Sequence, residues 1–430
     1  MEKIVINGGT PLKGSIEVSG MKNAALPILM GCLLVEDKCI IENLPEIDDV
    51  TLSLKILKSM GLSVRMLNRN TAEIDSTFAV GGTAPIDLVR KMRASYYLLG
   101  AELGRFGRAY VGYPGGCDFG VRPIDQHIKG FEALGAEVNV EGGYVEVVAK
   151  DTIKGTNIFF DVITVGGTMN VMLAAVKAEG TTIIENAARE PHIVDLANFL
   201  NSCGAKISGA GTDTIKIKGV ERLHGCTYAI IPDMIEAGTY MLAAAATKGC
   251  LKITNVIPKH LESITAKLVE MGVKVEDGDD HVTVTYQGSL NRVNVKTMPY
   301  PGFPTDMQPQ MGLLLSLANG VSCLSEGVYD NRFRYFEELK RMGASVKVDG
   351  RTAIIDGVEK LSPATIKAVD LRAGAAMVLA GLSASGTTYI EDIHHIERGY
   401  DDICGKLRMV GADIKKMTFP DEEQPVKKAN

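Results

Sequence analysis

Four stretches of the 430-residue chain carry side chains out of keeping with their surroundings, and each offers chemistry. Val111–Val121, VGYPGGCDFGV, sets four glycines around Cys117. Such glycine density predicts a lid loop with Cys117 exposed beside Asp118. A thiol of ordinary pKa, about 8.5, is mostly protonated at neutral pH. It is fitted to donate a proton, or to act as a nucleophile where cations lower its pKa. Just downstream, Arg122-Pro123-Ile124-Asp125-Gln126 opens a helix, with Pro123 suited to the first helical position. Extended geometry before the proline projects Arg122 from a helix mouth, where free amides favour an anion or a nucleotide. Alone, Arg122 reads better as a solvated arginine.

In the second stretch, Lys22 and Asn23 start an otherwise apolar, small-residue helix. A lysine at a helix N-terminus is unfavourable without a counter-anion. An anionic ligand or a nearby carboxylate supplies one. In the third, YPGFPTDMQ, prolines hold Asp306 at a helix start, where it is either a functional carboxylate or a helix cap. The fourth comprises Asp370-Leu371-Arg372 and His394-His395-Ile396-Glu397-Arg398. Lys22, Arg93, Arg122, Arg372 and Arg398 together supply five cations from both halves of the chain, and their convergence would serve a ligand with several negative charges. No metal-ligand spacing accompanies the histidine pair, which reads as structural. The eight cysteines are scattered with no close pair, so neither a disulfide framework nor a metal site is expected; seven of them read as small core residues in a reducing cytoplasm.

Positioning these residues is the task of a repeat. A helix-to-strand turn recurs at Gly61, Gly135, Gly204, Gly272, Gly343 and Gly411, each preceded by helical apolar spacing and followed by strand alternation. Upstream, Cys39–Asn43, Thr182–Asn186, Leu251–Asn255 and Thr388–Asp392 read as equivalent strands. Small-residue helices lie further upstream at Ala24–Leu34, Met92–Leu103, Thr168–Ala175, Ile235–Ala246, Met307–Ala318 and Ala373–Leu382. The unit is used six times. Its Ala- and Gly-rich helices predict a buried centre with sheets outside. Three repeats per domain give residues 21–230 as one domain and residues 1–20 with 231–419 as the other, with two crossings as a hinge and the opening strand Ile4–Ile6 completing the second domain's sheet. The charged tail, 420–430, is expected to fray.

Composition sets the outer bounds. The hydrophobic fraction is 46%, the charged fraction 23%, and the formal net charge -6. This is a soluble globular balance that argues against non-specific nucleic-acid binding. No apolar run reaches the roughly 20 residues of a bilayer span, and the N-terminus does not read as a signal peptide. No nucleic-acid or membrane partner is expected.

The runs GMKNAALP, PGGCDFGVRPIDQHIKGFEALGA, YPGFPTDMQ and HIERGYDDICGKLRMVGA resemble the UDP-N-acetylglucosamine 1-carboxyvinyltransferase family over about Lys3 to Met417. The resemblance implies an inside-out α/β barrel of the enolpyruvyl transferase type, two domains of three repeats each. It implies transfer of the enolpyruvyl group of phosphoenolpyruvate to the 3-hydroxyl of UDP-N-acetylglucosamine with release of phosphate, and no cofactor. By the same match, Cys117 is a general acid that also forms a covalent phosphoenolpyruvate adduct, and Asp306 a base near the hydroxyl. Lys22, Arg122 and Arg398 hold phosphate and carboxylate and steady the charged intermediate. Asn23 and Arg372 are further phosphoenolpyruvate contacts. The sugar nucleotide is matched to Arg93, to Arg122, Pro123, Ile124, Asp125 and Gln126 around uridine, to Thr164, Val165 and Gly166 at the diphosphate, and to Val328. Val162 stands where some relatives carry a lysine, which removes one diphosphate contact. Cys117 places the chain among members alkylated by fosfomycin. A cytoplasmic monomer closing around its substrates is the expectation.

Three other readings are weaker. The shikimate-pathway enolpyruvyl transferase shares the donor, but the cysteine lid and the Arg-Pro-Ile-Asp segment speak against it. A non-catalytic, ligand-sensing paralogue would have lost Cys117, Asp306 or Lys22, and a repeat-built clamp would not need the irregular loops.

Overall fold

A computed structural model describes residues 1–82, 84–113 and 123–420. Each of the six turn glycines has a positive φ, between 86° and 99°, a conformation that costs glycine little and other residues more. The upstream strands end in a second left-handed residue: Asn43, Asn186, Asn255 and Asp392 have φ of 55° to 58°. Asn and Asp tolerate this region because their short side chains bond locally. Here the amides of Asn43, Asn186 and Asn255 donate to the carbonyls of Ile230, Phe160 and Val18 at 2.7–2.8 Å. One residue type thereby ends a strand and ties it to its neighbour.

Five sheets share one plan. A short outer strand runs parallel to a central strand, which pairs antiparallel with a third, itself antiparallel to a fourth. In the third repeat these are Asn157–Phe159, Thr181–Glu185, Thr214–Lys218 and Lys206–Ser208. Strand Thr214–Lys218 alternates strictly, with Ile215 and Ile217 buried between exposed Thr214, Lys216 and Lys218, the two-residue period of a sheet with one wet face. The second repeat's sheet, Arg108–Gly112, Tyr144–Ala149 and Ala136–Glu141, has three strands among the described residues.

The last sheet is completed from the far end of the sequence. Glu2–Gly8 lies between Gly386–Glu391 and Asp413–Thr418, antiparallel to both, with Ile4 opposite Ile390 and Lys416. Lys13–Glu17 likewise pairs with Cys250–Thr254. In the other direction, Thr227–Ala229 pairs with Lys38–Glu42. The two crossings run side by side: Met21 N donates to Ile231 O (2.7 Å), Asp233 N to Ser19 O (2.9 Å), and Gly20 bridges Pro232.

The small-residue helices form the centre. Met234–Ala246, Gln308–Ser316 and Leu371–Ser383 pack on one another and are buried almost throughout. Lys22–Gly31, Tyr97–Phe106 and Val165–Ala175 form the corresponding group. Closeness explains the composition: a Cβ on Gly100 would sit 2.2 Å from the carbonyl oxygen of Asn170. The architecture is α/β with helices inside and sheets outside. No described helix is long and apolar enough to cross a membrane.

Candidate active site

Lys22 is the first residue of its helix, whose first turn holds no acid and whose leading N–H donates to the distant Asp233 Oδ2 at 3.3 Å. Its counter-charge comes from another helix. Asp49, in the first turn of Asp48–Ser59 where the helix dipole favours a carboxylate, lies 2.8 Å from Lys22 Nζ. The same carboxylate accepts from Arg398 Nε at 3.0 Å and Nη2 at 3.3 Å. Burial raises the pKa of Asp49, but Lys22 and Arg398 overcome this and hold it below the usual range. Gly399 permits the approach: a Cβ there would lie 3.2 Å from Lys22 Cδ and 2.7 Å from Leu371 Cδ2. Lys22, Arg398 and the start of the Arg372 helix are therefore one packed unit.

Asp306 caps nothing. It sits in the 3₁₀ turn Thr305–Met307, ahead of the helix Gln308–Ser316, and neither segment has a side-chain cap. Its carboxylate accepts instead from Arg332 Nη2 at 2.9 Å and from Arg372 Nη2 and Nε at 3.1 and 3.3 Å. Both arginine side chains are nearly inaccessible, while the carboxylate keeps 26% of its surface open. Against burial, which raises it, Arg372 and Arg332 drive the Asp306 pKa far below the usual carboxylate range, and Lys22 adds to this. The Asp49 and Asp306 clusters thus act on one another. Arg332 is fixed by Thr305 Oγ1 (3.0 Å), which donates to Glu326; Glu326 also accepts from the amide of Val328 at 2.8 Å. Arg372 lies over the ring of Tyr400, 5.5 Å from its centroid. Around Asp306, buried polar atoms lack partners among the described residues: both ends of the Gln308 amide and Nδ1 of His192. Burial holds the His192 imidazole neutral down to about 4, while the Asp306 charge pulls the other way.

A third cluster joins the segments expected at the nucleotide. The helix runs Asp125–Ala133, so Pro123 precedes it rather than occupying its first position; Asp125 takes the first turn, where its charge suits the dipole. Gln126 is buried and spans to the Asp161 loop, accepting from Asp161 N at 3.0 Å. Thr164 caps Val165–Ala175 through Gly167 N (3.1 Å). A Cβ on Gly166 would meet Tyr96 Oη at 2.7 Å and His127 Cε1 at 2.9 Å. Arg93 lies over Tyr96, 5.6 Å from the ring centroid. Asn170 organises the group: its amide nitrogen reaches Tyr96 O and His127 Nδ1, each at 2.9 Å, and its oxygen accepts from Gly100 N. Accepting at Nδ1 leaves His127 its proton on Nε2. Burial and then Arg93 depress its pKa to about 3, so it is a neutral donor.

The structure thus brings Lys22, Arg372, Arg398 and Asp306 together, and separately Arg93, Ile124, Gln126, Thr164 and Gly166. Asn23 is half-buried beside Lys22, Pro123 and Asp125 are exposed, and Val165 follows the Thr164 cap. Val328 is exposed, with its amide committed to Glu326. Val162 is exposed beside Ile163, an apolar edge to the Thr164 segment. Cys117 and Arg122 lie outside the described residues. Sequence reasoning missed Asp49, Arg332, His127 and Asn170. Nothing local marks Asp49, the second residue of its helix, or Arg332, in the charged stretch Asp330–Arg334.

A protein-family profile described as EPSP synthase (3-phosphoshikimate 1-carboxyvinyltransferase) matches residues 6–407. A UDP-N-acetylglucosamine 1-carboxyvinyltransferase of Clostridium botulinum is 57% identical over 418 residues, covering 97% of this chain and 100% of its own. One from Caldanaerobacter subterraneus subsp. tengcongensis is 56% identical over 414 residues, covering 96% and 99%. Among solved structures, the enolpyruvyl transferase NikO from Streptomyces tendae superposes with a TM-score of 0.88 at 27% identity, over 97% of this chain and 99% of its own. EPSP synthase from Acinetobacter baumannii gives 0.76 at 19% over 97% and 100%, a likeness of fold alone.

Proposed function

The chain belongs to the UDP-N-acetylglucosamine 1-carboxyvinyltransferase family, and on that premise we propose how its residues divide the work. The reaction is transfer of the enolpyruvyl group of phosphoenolpyruvate to the 3-hydroxyl of UDP-N-acetylglucosamine, with release of phosphate, in the making of peptidoglycan precursors. The observation that carries the assignment is the packing of Lys22, Arg398 and Arg372 against two carboxylates, Asp49 and Asp306.

Phosphoenolpyruvate presents a phosphate and a carboxylate. Lys22 and Arg398 receive them, with Asn23, Arg122 and Arg372 completing the contacts, and Asp49 keeps Lys22 and Arg398 paired until the anion arrives. Cys117 protonates the alkene carbon and Asp306 takes the proton of the attacking hydroxyl, with Lys22 and Arg398 steadying the charged intermediate. Phosphate then leaves together with a proton from the new methyl group, which restores the carbon–carbon double bond of the enolpyruvyl ether. Asp306 is a poor base while two arginines bind it; an anion drawing Arg372 away raises its basicity, which couples proton removal to donor binding. Arg93, Arg122, Pro123, Ile124, Asp125, Gln126, Thr164, Val165, Gly166 and Val328 hold the sugar nucleotide, with His127 donating from Nε2.

Residues 21–230 form one domain, residues 1–20 with 231–419 the other, and the paired crossings at Gly20 and Pro232 are the hinge on which they close. The enzyme is a cytoplasmic monomer needed for cell-wall growth and division. Cys117 carries the pyruvate adduct and is the site of fosfomycin alkylation. The test is phosphate release with both substrates, against each alone and against shikimate 3-phosphate as acceptor. Release only with phosphoenolpyruvate and UDP-N-acetylglucosamine together supports the reading; equal release with shikimate 3-phosphate overturns it.

A further inference from the structure

Away from the residues assigned to catalysis, three cysteines distant in sequence meet in the first half of the molecule. The Sγ atoms of Cys39, Cys203 and Cys226 all lie within 4.8 Å of one another, and that of Cys203 is 3.4 Å from that of Cys226. Each comes from a different, well-anchored element. Cys39 is the second residue of the strand Lys38–Glu42 and faces inward, fully buried. Cys203 closes the helix Pro191–Ser202, its amide bonded to Phe199 O and Leu200 O and its carbonyl accepting from His224 N at 2.9 Å. Cys226 precedes the strand Thr227–Ala229, and its carbonyl accepts from Ile40 N at 2.9 Å. Cys226 is only half-buried, which leaves a way in from solvent.

We propose that Cys39, Cys203 and Cys226 form a structural site for a thiophilic divalent cation of the zinc class. The spacing suits one shared ion. Metal–sulfur bonds of about 2.3 Å at tetrahedral angles place sulfurs roughly 3.8 Å apart, between the 3.4 Å contact and the 4.8 Å limit of this group. Binding one Zn²⁺ displaces three thiol protons to solvent and leaves a site of one net negative charge. A fourth thiol, Cys32, adjoins Cys39 but stands outside the three-way group. The ion would fasten the strand Lys38–Glu42 to its outer partner Thr227–Ala229, the segment leading into the second crossing. Its role is to hold that strand pair, not to take part in the reaction.

The test uses the full chain, reduced and stripped of metal, titrated with Zn²⁺ in competition with a chromophoric chelator and with Co²⁺ as a spectroscopic probe. Wild type and Cys117→Ala should each take up one tight equivalent, show thiolate-to-cobalt charge-transfer absorption, and melt higher with Zn²⁺. Cys226→Ser, a change at the least buried of the three, should weaken binding by more than the roughly 10–100-fold that losing an outer partner costs, with turnover unchanged. Cys39→Val should abolish both the cobalt band and the melting shift. Absence of a tight equivalent in wild type would overturn the proposal, as would undiminished binding in both ligand variants. A Cys203–Cys226 cross-link found by peptide mapping of the protein isolated without reductant would replace it with a disulfide.

Discussion

Replacing Asp306 by Asn changes one heavy atom and removes a charge placed between two buried guanidinium groups. The carboxylate makes three charge-assisted contacts of 2.9–3.3 Å to Arg332 and Arg372. Breaking a buried ion pair costs about 3–5 kcal/mol because the partner is left buried and uncompensated. Asp306 keeps 26% of its surface in solvent, which screens part of this and brings the expectation to about 2–4 kcal/mol. For a cooperative unit of half this chain, that lowers the melting temperature by about 5–15 °C. The sign with pH is also set. A depressed folded-state pKa stabilises fully above the unfolded value of about 3.9 and ceases to do so as pH falls through the folded value, so the variant should lose this part of the acid sensitivity. Freed guanidinium groups make a better anion site, so added phosphate should restore more stability to Asp306→Asn than to wild type. Turnover should fall about 10²–10⁴-fold, the usual worth of a positioned base, while calorimetry still detects UDP-N-acetylglucosamine. The assays are phosphate release, calorimetric titration and melting curves across pH and phosphate concentration. Near-normal turnover would refute the base assignment, and a melting temperature within a degree or two of wild type would refute the ion-pair reasoning.

Three further perturbations test other parts of the molecule. Gly166→Ala forces a methyl to within 2.7 Å of Tyr96 Oη and 2.9 Å of the His127 ring; the KM for the sugar nucleotide should rise on the order of 10-fold with kcat less affected, and an unchanged KM would remove this cluster from the binding site. Glu102 is buried and its pKa is pushed up to about 8 by desolvation, against the amides of Tyr110 and Gly82. Since the unfolded chain ionises near 4.3, wild type should lose stability as pH rises from there to about 8. Glu102→Gln should therefore match wild type near pH 4.5 and melt higher at pH 8, and parallel curves would contradict this. Cys117→Ala should abolish most turnover and the inhibitory effect of limited thiol alkylation. Burial pushes the rival thiol of Cys404 up to about 11, so peptide mapping that finds Cys404 labelled in step with lost activity would move the reactive thiol elsewhere.

What the sequence disclosed depended on whether the physics was local. The positive φ at Gly61, Gly135, Gly204, Gly272, Gly343 and Gly411 is written in residue type at one position each, and so was readable. The same holds for alternation in strands such as Thr214–Lys218. A lysine beginning an apolar helix announced a missing counter-charge, but its supplier, Asp49, comes from the following helix and only the packed structure names it. Asp306 shows the converse: Asp at a helix start reads as a cap because capping is local, whereas Arg332 and Arg372 claim it across 26 and 66 residues. Pro123 misled by a small margin, since one residue, Ile124, intervenes before the helix begins at Asp125. The cysteine group was invisible for the same reason as Asp49, its members being joined by folding and not by spacing.

The strand Glu2–Gly8 is made long before its partners. Its two partners, Gly386–Glu391 and Asp413–Thr418, leave the ribosome only after nearly the whole chain. At 5–20 residues per second, the strand waits roughly 20–80 s with both edges bare. During that interval its inward side chains, Ile4 and Ile6 among them, are a liability for mispairing. The last sheet is therefore complete only once residues 413–418 are in place. A chain cut short before Asp413 leaves one edge of that strand uncovered, and quality-control proteases should distinguish such a product from the finished protein by that edge alone.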